Sequence, residues 1–276
     1  GLLCQQPILE GCIRYDFFGR DGGWKGFVRI LRRVRREGFD LVVDFEQHFG
    51  LVPIIAYWTG APARIGFVGG RPWRRCLFTR PVQLDGSKHM QEAFLDLAHA
   101  AGADPVEGGA AGRLWIAAED RTFVDHWLAD RNVDSSALVI AIHPGSGPHP
   151  HKQWAPENFS ALADKLVVQY GAFVVLTGGS EEAEIIRQVS AHMEQKPLVA
   201  VGELSVPQLA ALIERCALLI SNDTGPMHIG PAVGTPTLGL FGPELPLRYQ
   251  PYGSGHVAIH QPLECSPCIN IHQGPG

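Results

Sequence analysis

The stretch Ser221-Asn-Asp-Thr-Gly-Pro-Met-His228 has the residue types and order of an anion seat. It follows the apolar run Cys216–Ile220 and continues to Gly234-Thr-Pro and Leu240-Phe-Gly-Pro243. A short apolar run bounded by turn residues reads as a buried strand. Asp223 or Thr224 can then cap a helix, and Gly225 lets a ligand come close to the backbone. Pro226 suits a first helical turn, where its missing N–H has no partner to lose. Free backbone N–H groups and the positive end of the helix dipole would face the strand end, which suits phosphate. His228 lies one turn further on and can face the same site as Thr224. A structural and a functional reading of it are evenly matched.

A second stretch, His143-Pro-Gly-Ser-Gly-Pro-His-Pro-His-Lys-Gln-Trp154, also follows an apolar run. Gly145 and Gly147 allow backbone approach, Ser146 offers a hydroxyl and Lys152 a cation. Together they suit a diphosphate. The spacing is neither that of a P-loop nor that of the dinucleotide fingerprint. His149 and His151 read as exposed loop residues. In Leu176-Thr-Gly-Gly-Ser-Glu-Glu182, a carboxylate just after a Gly-rich turn can accept both hydroxyls of a ribose. Equally, Glu181 and Glu182 can simply complement the dipole of the helix that follows. Gly202-Glu-Leu-Ser205 reads as a helix entry capped by Ser205. The segment Phe241–Tyr249 either covers the site or crosses the surface. The chain has no Asp-x-Asp pair to hold a metal on a nucleotide-sugar diphosphate. Charge on a departing diphosphate would then fall to Lys152, hydroxyls and N–H groups, which points to metal-independent chemistry with no cofactor.

These groups need a scaffold that brings strand ends together. From Leu138 onward the pattern alternates: strand 138–142, helix 156–169, strand 172–176, helix 181–194, strand 198–201, helix 205–215, strand 217–220, helix 225–233 and strand 236–240. Strand then helix, repeated with short connections, builds a parallel sheet covered on both faces. Ligands of such sheets sit at the carboxyl ends of the strands. The first half is less regular. Residues 24–37 read as a basic amphipathic helix with Phe27, Ile30, Leu31 and Val34 on one face. Strands are expected at 40–45, 63–67 and 114–116, helices at 51–59, 88–101 and 119–131, and irregular structure at 68–87. A linker near 132–136 would divide the chain into domains 1–134 and 135–276.

The length of 276 residues and hydrophobic content of 45% support two domains with real cores. No apolar run reaches the roughly eighteen residues of a spanning helix. Of the six cysteines, Cys4, Cys12, Cys76 and Cys216 are scattered, and core packing is the reading given to them rather than a disulfide scaffold. Cys265-Ser-Pro-Cys268 with His272 falls short of a zinc set and reads as a structural turn. Net charge is −5, but unevenly spread: residues 1–90 carry 14 Lys and Arg against 8 Asp and Glu, and the rest carry 9 against 20. The Arg29, Arg32, Arg33, Arg35, Arg36 cluster is either a solvated face or a surface for an anionic partner. It lacks the aromatic interleaving that single-stranded nucleic acid uses, so a lipid or membrane surface is favoured over nucleic acid.

Together these loops resemble the ADP-heptose:lipopolysaccharide heptosyltransferases, glycosyltransferase family 9. The resemblance rests on His143-Pro-Gly-Ser with Lys152-Gln-Trp154, Thr177-Gly-Gly, and Asn222-Asp-Thr-Gly-Pro-Met-His228 through Leu240-Phe-Gly-Pro243. Leu263–Cys268 matches as well, and Asp44-Phe-Glu-Gln47 with Arg64-Ile-Gly-Phe67 more loosely. It implies an α/β, GT-B type fold: two Rossmann-like domains with parallel sheets and the substrates between them. It also implies an inverting, metal-independent glycosyltransferase that moves heptose from ADP-heptose to an anionic lipid A-core acceptor. The setting implied is the cytoplasm, peripheral to the inner membrane. Carried over by position, Lys152 and Ser146 bind the diphosphate side, and Thr224 and Gly225 donate to phosphate. Asp223 contacts the sugar, His228 supports that corner, and Glu181 or Glu182 takes the ribose. The family's amino-terminal strand and Gly-Asp loop, source of the expected base, has no match here. Asp16, Asp21 and Asp44 lie in a different context. The first domain is therefore expected to be incomplete by one or two βα units. The alternatives are a nucleotide-binding module without catalysis, and another sugar-nucleotide enzyme of this fold such as an epimerase.

Overall fold

The computed structural model describes residues 2–17, 19–47, 49–69, 72–104, 112–262 and 264. The chain forms two compact units, residues 11–108 and residues 1–10 with 109–276.

In the smaller unit, α1 (Gly23–Arg36) leads to β1 (Leu41–Asp44), α2 (Leu51–Trp58), β2 (Ala63–Phe67), β3 (Arg80–Val82) and α3 (Met90–Ala101). The three strands are parallel in the order β1-β2-β3. Helix α1 buries Gly26, Ile30 and Val34 and leaves its arginines in solvent, as its 3.6-residue period requires. Strand β3 and a 3₁₀ turn, Pro72–Leu77, lie in the span expected to be irregular. A three-residue Arg-Pro-Val strand has no alternation to announce it. An apolar groove of about 740 Å³ runs beside β1, lined by Val34, Val43, Asp44, Phe45 and Val52 among others.

In the larger unit, α4 (Ala118–Ala129) precedes β4 (Val139–His143), α5 (Pro156–Tyr170), β5 (Phe173–Gly178), α6 (Ala183–His192) and β6 (Leu198–Val201). Then come α7 (Val206–Arg215), β7 (Leu218–Asn222), α8 (Gly225–Val233), β8 (Thr237–Phe241), α9 (Pro246–Tyr249) and β9 (Val257–His260). All six strands are parallel, in the order β6-β5-β4-β7-β8-β9. Successive residues of β4 serve opposite faces. Val139 and Ala141 join the core built with α4 and α7, while Ile140 and Ile142 join the one built with α5 and α6. A strand covered on both faces is apolar throughout, which is why β4 reads as one unbroken run. Helix α7 opens on a capping box, with Ser205 Oγ accepting the Gln208 N–H and Gln208 Oε1 accepting the Ser205 N–H.

Three expectations are corrected. Residues 114–116 form no strand: the Leu114 N–H donates to the Ala232 carbonyl and the Trp115 N–H to the Gln6 side chain, so the segment crosses this unit outside the sheet. The linker expected near 132–136 lies within the larger unit, because α4 packs on α7 through Val124, Trp127 and Leu128. Core packing holds for Cys216, whose thiol burial pushes up to about 12. It does not hold for Cys4, Cys12 or Cys76. Cys4 and Cys12 are disulfide-bonded, and Cys76 is an exposed free thiol. Cys265, Cys268 and His272 lie outside the described residues.

Candidate active site

Strand order reverses direction between β4 and β7: successive strands run outward from β4 on one side and from β7 on the other. A crevice opens outside the carboxyl ends at such a point. His143 of β4 pairs in register with Ser221 of β7, so the loop 144–155 and the turn 223–224 leave the sheet side by side.

Asn222 joins the two. Fully buried, it donates from Nδ2 to the carbonyls of Pro144 at 2.8 Å and Gly145 at 3.3 Å. Its Oδ1 accepts the Trp154 N–H at 3.2 Å. With both ends of the loop tied, Lys152 Nζ reaches Asp223 Oδ2 at 2.5 Å, and the two side chains are only 9% and 8% exposed. A charge pair held this far from water needs both partners.

Thr224 takes the N-cap position of α8 with extended backbone, and its side chain makes no capping bond. Pro226 lies in the first turn, as expected from its ring. Gly225 faces open space: a Cβ placed there would meet nothing within 4 Å. The amino end of α8 therefore presents donors and a positive dipole end with room beside them. Thr224, Gly225 and Pro226 form one wall of a cavity of about 320 Å³, with Gly178, Gly179 and Glu181 on another and Leu204, Val206 and Leu209 on an apolar side. That size and mix of walls suit a small organic ligand with a charged end.

The two glutamates separate cleanly. Glu182 Oε1 accepts the Gly147 N–H at 3.2 Å, and Oε2 accepts the Gly179 N–H at 3.1 Å and lies 3.4 Å from His143 Nε2. His143, buried, has its Nδ1 3.2 Å from Thr177 Oγ1. The His143 contact, helped by the two backbone N–H groups, holds the Glu182 carboxyl down at about 2 against burial. Glu182 thus ties the loop after β4 to the loop after β5. Glu181 is exposed and lines the cavity.

Other expected site residues lie differently. Gly145 gives its space to Glu182, because a Cβ there would overlap the Glu182 carboxylate. The Ser146 hydroxyl is buried and donates to the His149 carbonyl at 2.7 Å, within its own loop. His228 is on the exposed side of α8 and does not line the cavity. Sequence reasoning missed Glu244, in the turn after β8. It is 5% exposed, its Oε2 has no partner, and it lies within electrostatic reach of Lys152 and Asp223. A carboxylate directly after the strand-end Phe241-Gly-Pro243 was the available signal.

Two parallel α/β sheets, the larger gathering polar groups at its strand ends, define a Rossmann-type protein of GT-B architecture. The model of glycosyltransferase family 9 (heptosyltransferase) matches residues 27–274. The chain belongs to that family and is a glycosyltransferase. It is 28% identical over 258 residues to the lipopolysaccharide core heptosyltransferase OpsX of Haemophilus influenzae, covering 92% of this chain and 70% of the relative. Among solved structures it is similar to the family 9 glycosyltransferase of Veillonella parvula, with a TM-score of 0.77 and 28% identity over 87% of this chain and 69% of that one. The heptosyltransferase WaaC of E. coli, solved with ADP-2-deoxy-2-fluoro heptose, shares the fold at a TM-score of 0.60 and 17% identity, covering 89% of this chain and 76% of that one.

Proposed function

We propose that the chain binds ADP-heptose at the β4–β7 crevice and serves transfer of the heptose, with inversion and without a metal, to a lipopolysaccharide inner-core acceptor. The observation that carries this reading is the Lys152–Asp223 pair beside the open amino end of α8. In the proposed complex the adenine lies against Leu204, Val206 and Leu209, and Glu181 accepts the ribose hydroxyls. The diphosphate meets the Gly225 N–H, the Thr224 hydroxyl and the Lys152 ammonium. Asp223, relieved of part of its pairing as Lys152 turns to phosphate, accepts from the sugar, and His228 supports that corner from α8. Ser146 contributes through the shape of its loop.

In the transfer step a base removes the acceptor hydroxyl proton. That oxygen bonds to the anomeric carbon from the face opposite the diphosphate. The carbon–oxygen bond to the diphosphate breaks, and ADP leaves with the electron pair. The helix end contributes roughly 0.3–2 kcal/mol to holding the departing charge. Each positioned donor adds about 2.7–4 kcal/mol in comparable sites. Transfer by a competent form should persist in excess EDTA; its loss there would bring a metal into the account.

Acceptor and membrane contact fall to the amino-terminal unit. Helix α1 holds Lys25, Arg29, Arg32, Arg33, Arg35 and Arg36 in solvent, with Trp24 72% exposed at its start. That is the composition of a face for an anionic interface. The reading includes a cytoplasmic location at the inner-membrane surface. Flotation with vesicles containing anionic lipid checks it, and a chain that stays at the bottom of the gradient argues against it. Among the described residues, no helix is long and apolar enough to cross a membrane.

A second reading, nucleotide binding without turnover, is favoured by the carboxylates of the smaller unit. Asp16 accepts the Gly19 and Arg20 N–H groups, Asp21 pairs with Arg29, and Asp44 is buried against Arg74. Burial raises Asp44 to about 6, opposed by the Glu46 N–H and the Arg74 charge. All three are engaged in local structure. Calorimetry with ADP and ADP-heptose, run beside a transfer assay, separates the readings. Binding with transfer supports the first, and binding alone the second. A chain that binds neither nucleotide defeats both.

A further inference from the structure

Among the described residues, Glu244 is the one buried carboxylate near the Lys152–Asp223 pair that the proposed chemistry leaves unused. It sits in the turn between β8 and α9, and that turn lies against the loop after β4: a Cβ on Gly242 would stand 3.8 Å from the His151 carbonyl. The Lys152 side chain leaves the next residue of that loop. Glu244 is 5% exposed, and its Oε2 accepts no hydrogen bond. Burial pushes the carboxyl up first, and Asp223 adds to this. Lys152, the Leu245 amide and Arg248 oppose it.

A buried oxygen without a donor is costly and calls for a partner. Lys152 is already committed to Asp223 at 2.5 Å. The Leu245 amide serves the Glu244 carboxyl, but Oε2 lacks a hydrogen-bond donor, and a sugar ring next to a diphosphate brings several hydroxyl donors. Building on the donor site proposed above, we infer that Glu244 is a specificity-determining residue that accepts a hydroxyl of the transferred sugar. Lys152 and the α8 amides then read the diphosphate, which every ADP-sugar shares, while Glu244 reads the ring. A site built to hydrogen-bond a hydroxyl rejects ligands that lack it more strongly than an apolar pocket rejects a misfit.

The test is calorimetry on the 276-residue chain with ADP and with ADP-heptose, on wild type, Glu244→Gln and Glu244→Ala. The readout is the ratio of the two dissociation constants. The ratio should favour ADP-heptose in wild type and fall about tenfold in Glu244→Ala, the effect of losing one charged hydrogen bond. Glu244→Gln, which keeps one acceptor and the side-chain shape, should fall in between. It decides the matter if the alanine variant does not fold. A ratio within twofold of wild type in the folded variants overturns the inference. So does a parallel loss of both ligands, which would make Glu244 scaffold. If wild type binds ADP, either result refutes this inference alone. If wild type binds no ADP, the donor-site reading falls, and this inference with it.

Discussion

Lys152 and Asp223 lie 71 positions apart in the chain, yet their side chains meet at 2.5 Å with almost no access to water. One leaves the loop after β4, the other the turn after β7. The pair therefore reports directly on how well the switch point is assembled.

Replacing Lys152 by Ala leaves the Asp223 carboxylate buried without its counter-charge. Breaking such a pair costs about 3–5 kcal/mol. Lys152→Ala should melt well below wild type and bind ADP at least tenfold more weakly. Adding Asp223→Asn should restore most of the melting temperature, because the uncompensated charge is gone. It should not restore ADP affinity. Wild-type ADP affinity in either variant would remove Lys152 from the binding site.

Stability should also carry the signature of Glu182. Its carboxyl is held at about 2 in the folded chain, below the ordinary 4.5, so the unfolded chain binds that proton more readily. The stabilisation is complete above about 4.5 and is lost as pH falls through about 2. The displacement corresponds to about 3 kcal/mol, as an order of magnitude. Urea midpoints measured from pH 6 down to pH 3 should fall more steeply for wild type than for Glu182→Gln. Equal slopes would mean that the His143 contact and the two N–H bonds do not bias this proton.

Glu181 and Glu182 are neighbours with different expected readouts. Glu181→Gln should leave the melting temperature within about 1 °C of wild type, as surface substitutions usually do. It should lower affinity for ADP several-fold while leaving that for 2′,3′-dideoxy-ADP unchanged. An equal loss for both ligands would show that the carboxylate does not read the ribose hydroxyls.

Much of this was legible in the sequence, for physical reasons. The inner strands of the larger unit are covered on both faces, so β4, β5, β7 and β8 stand out as apolar runs, and their helices begin and end on Pro, Ser and Gly signals such as Pro156, Ser205 and Gly234. The short strands β3 and β9 escaped. Arg80-Pro-Val82 carries a proline, and Val257–His260 is a partly exposed edge strand. The open helix start at Thr224–Gly225, where the diphosphate is proposed to bind, was readable because its glycine and proline suit a helix entry in that order. The division of labour between Glu181 and Glu182 was not. It depends on which carboxylate lies under Gly145 and Gly147, a contact 35 residues away in sequence. Glu244 was hidden for a similar reason, since the turn that carries it lies against the loop after β4, far away in sequence.

The central claim is that main-chain amides at the start of α8 and the Lys152 ammonium hold a diphosphate. A crystal structure of the chain grown with ADP tests it most directly. The account predicts phosphate oxygens within hydrogen-bond distance of the Gly225 N–H and of Lys152 Nζ, with the adenine against Leu204 and Val206. A well-ordered ADP bound elsewhere, with those donors untouched, would contradict it.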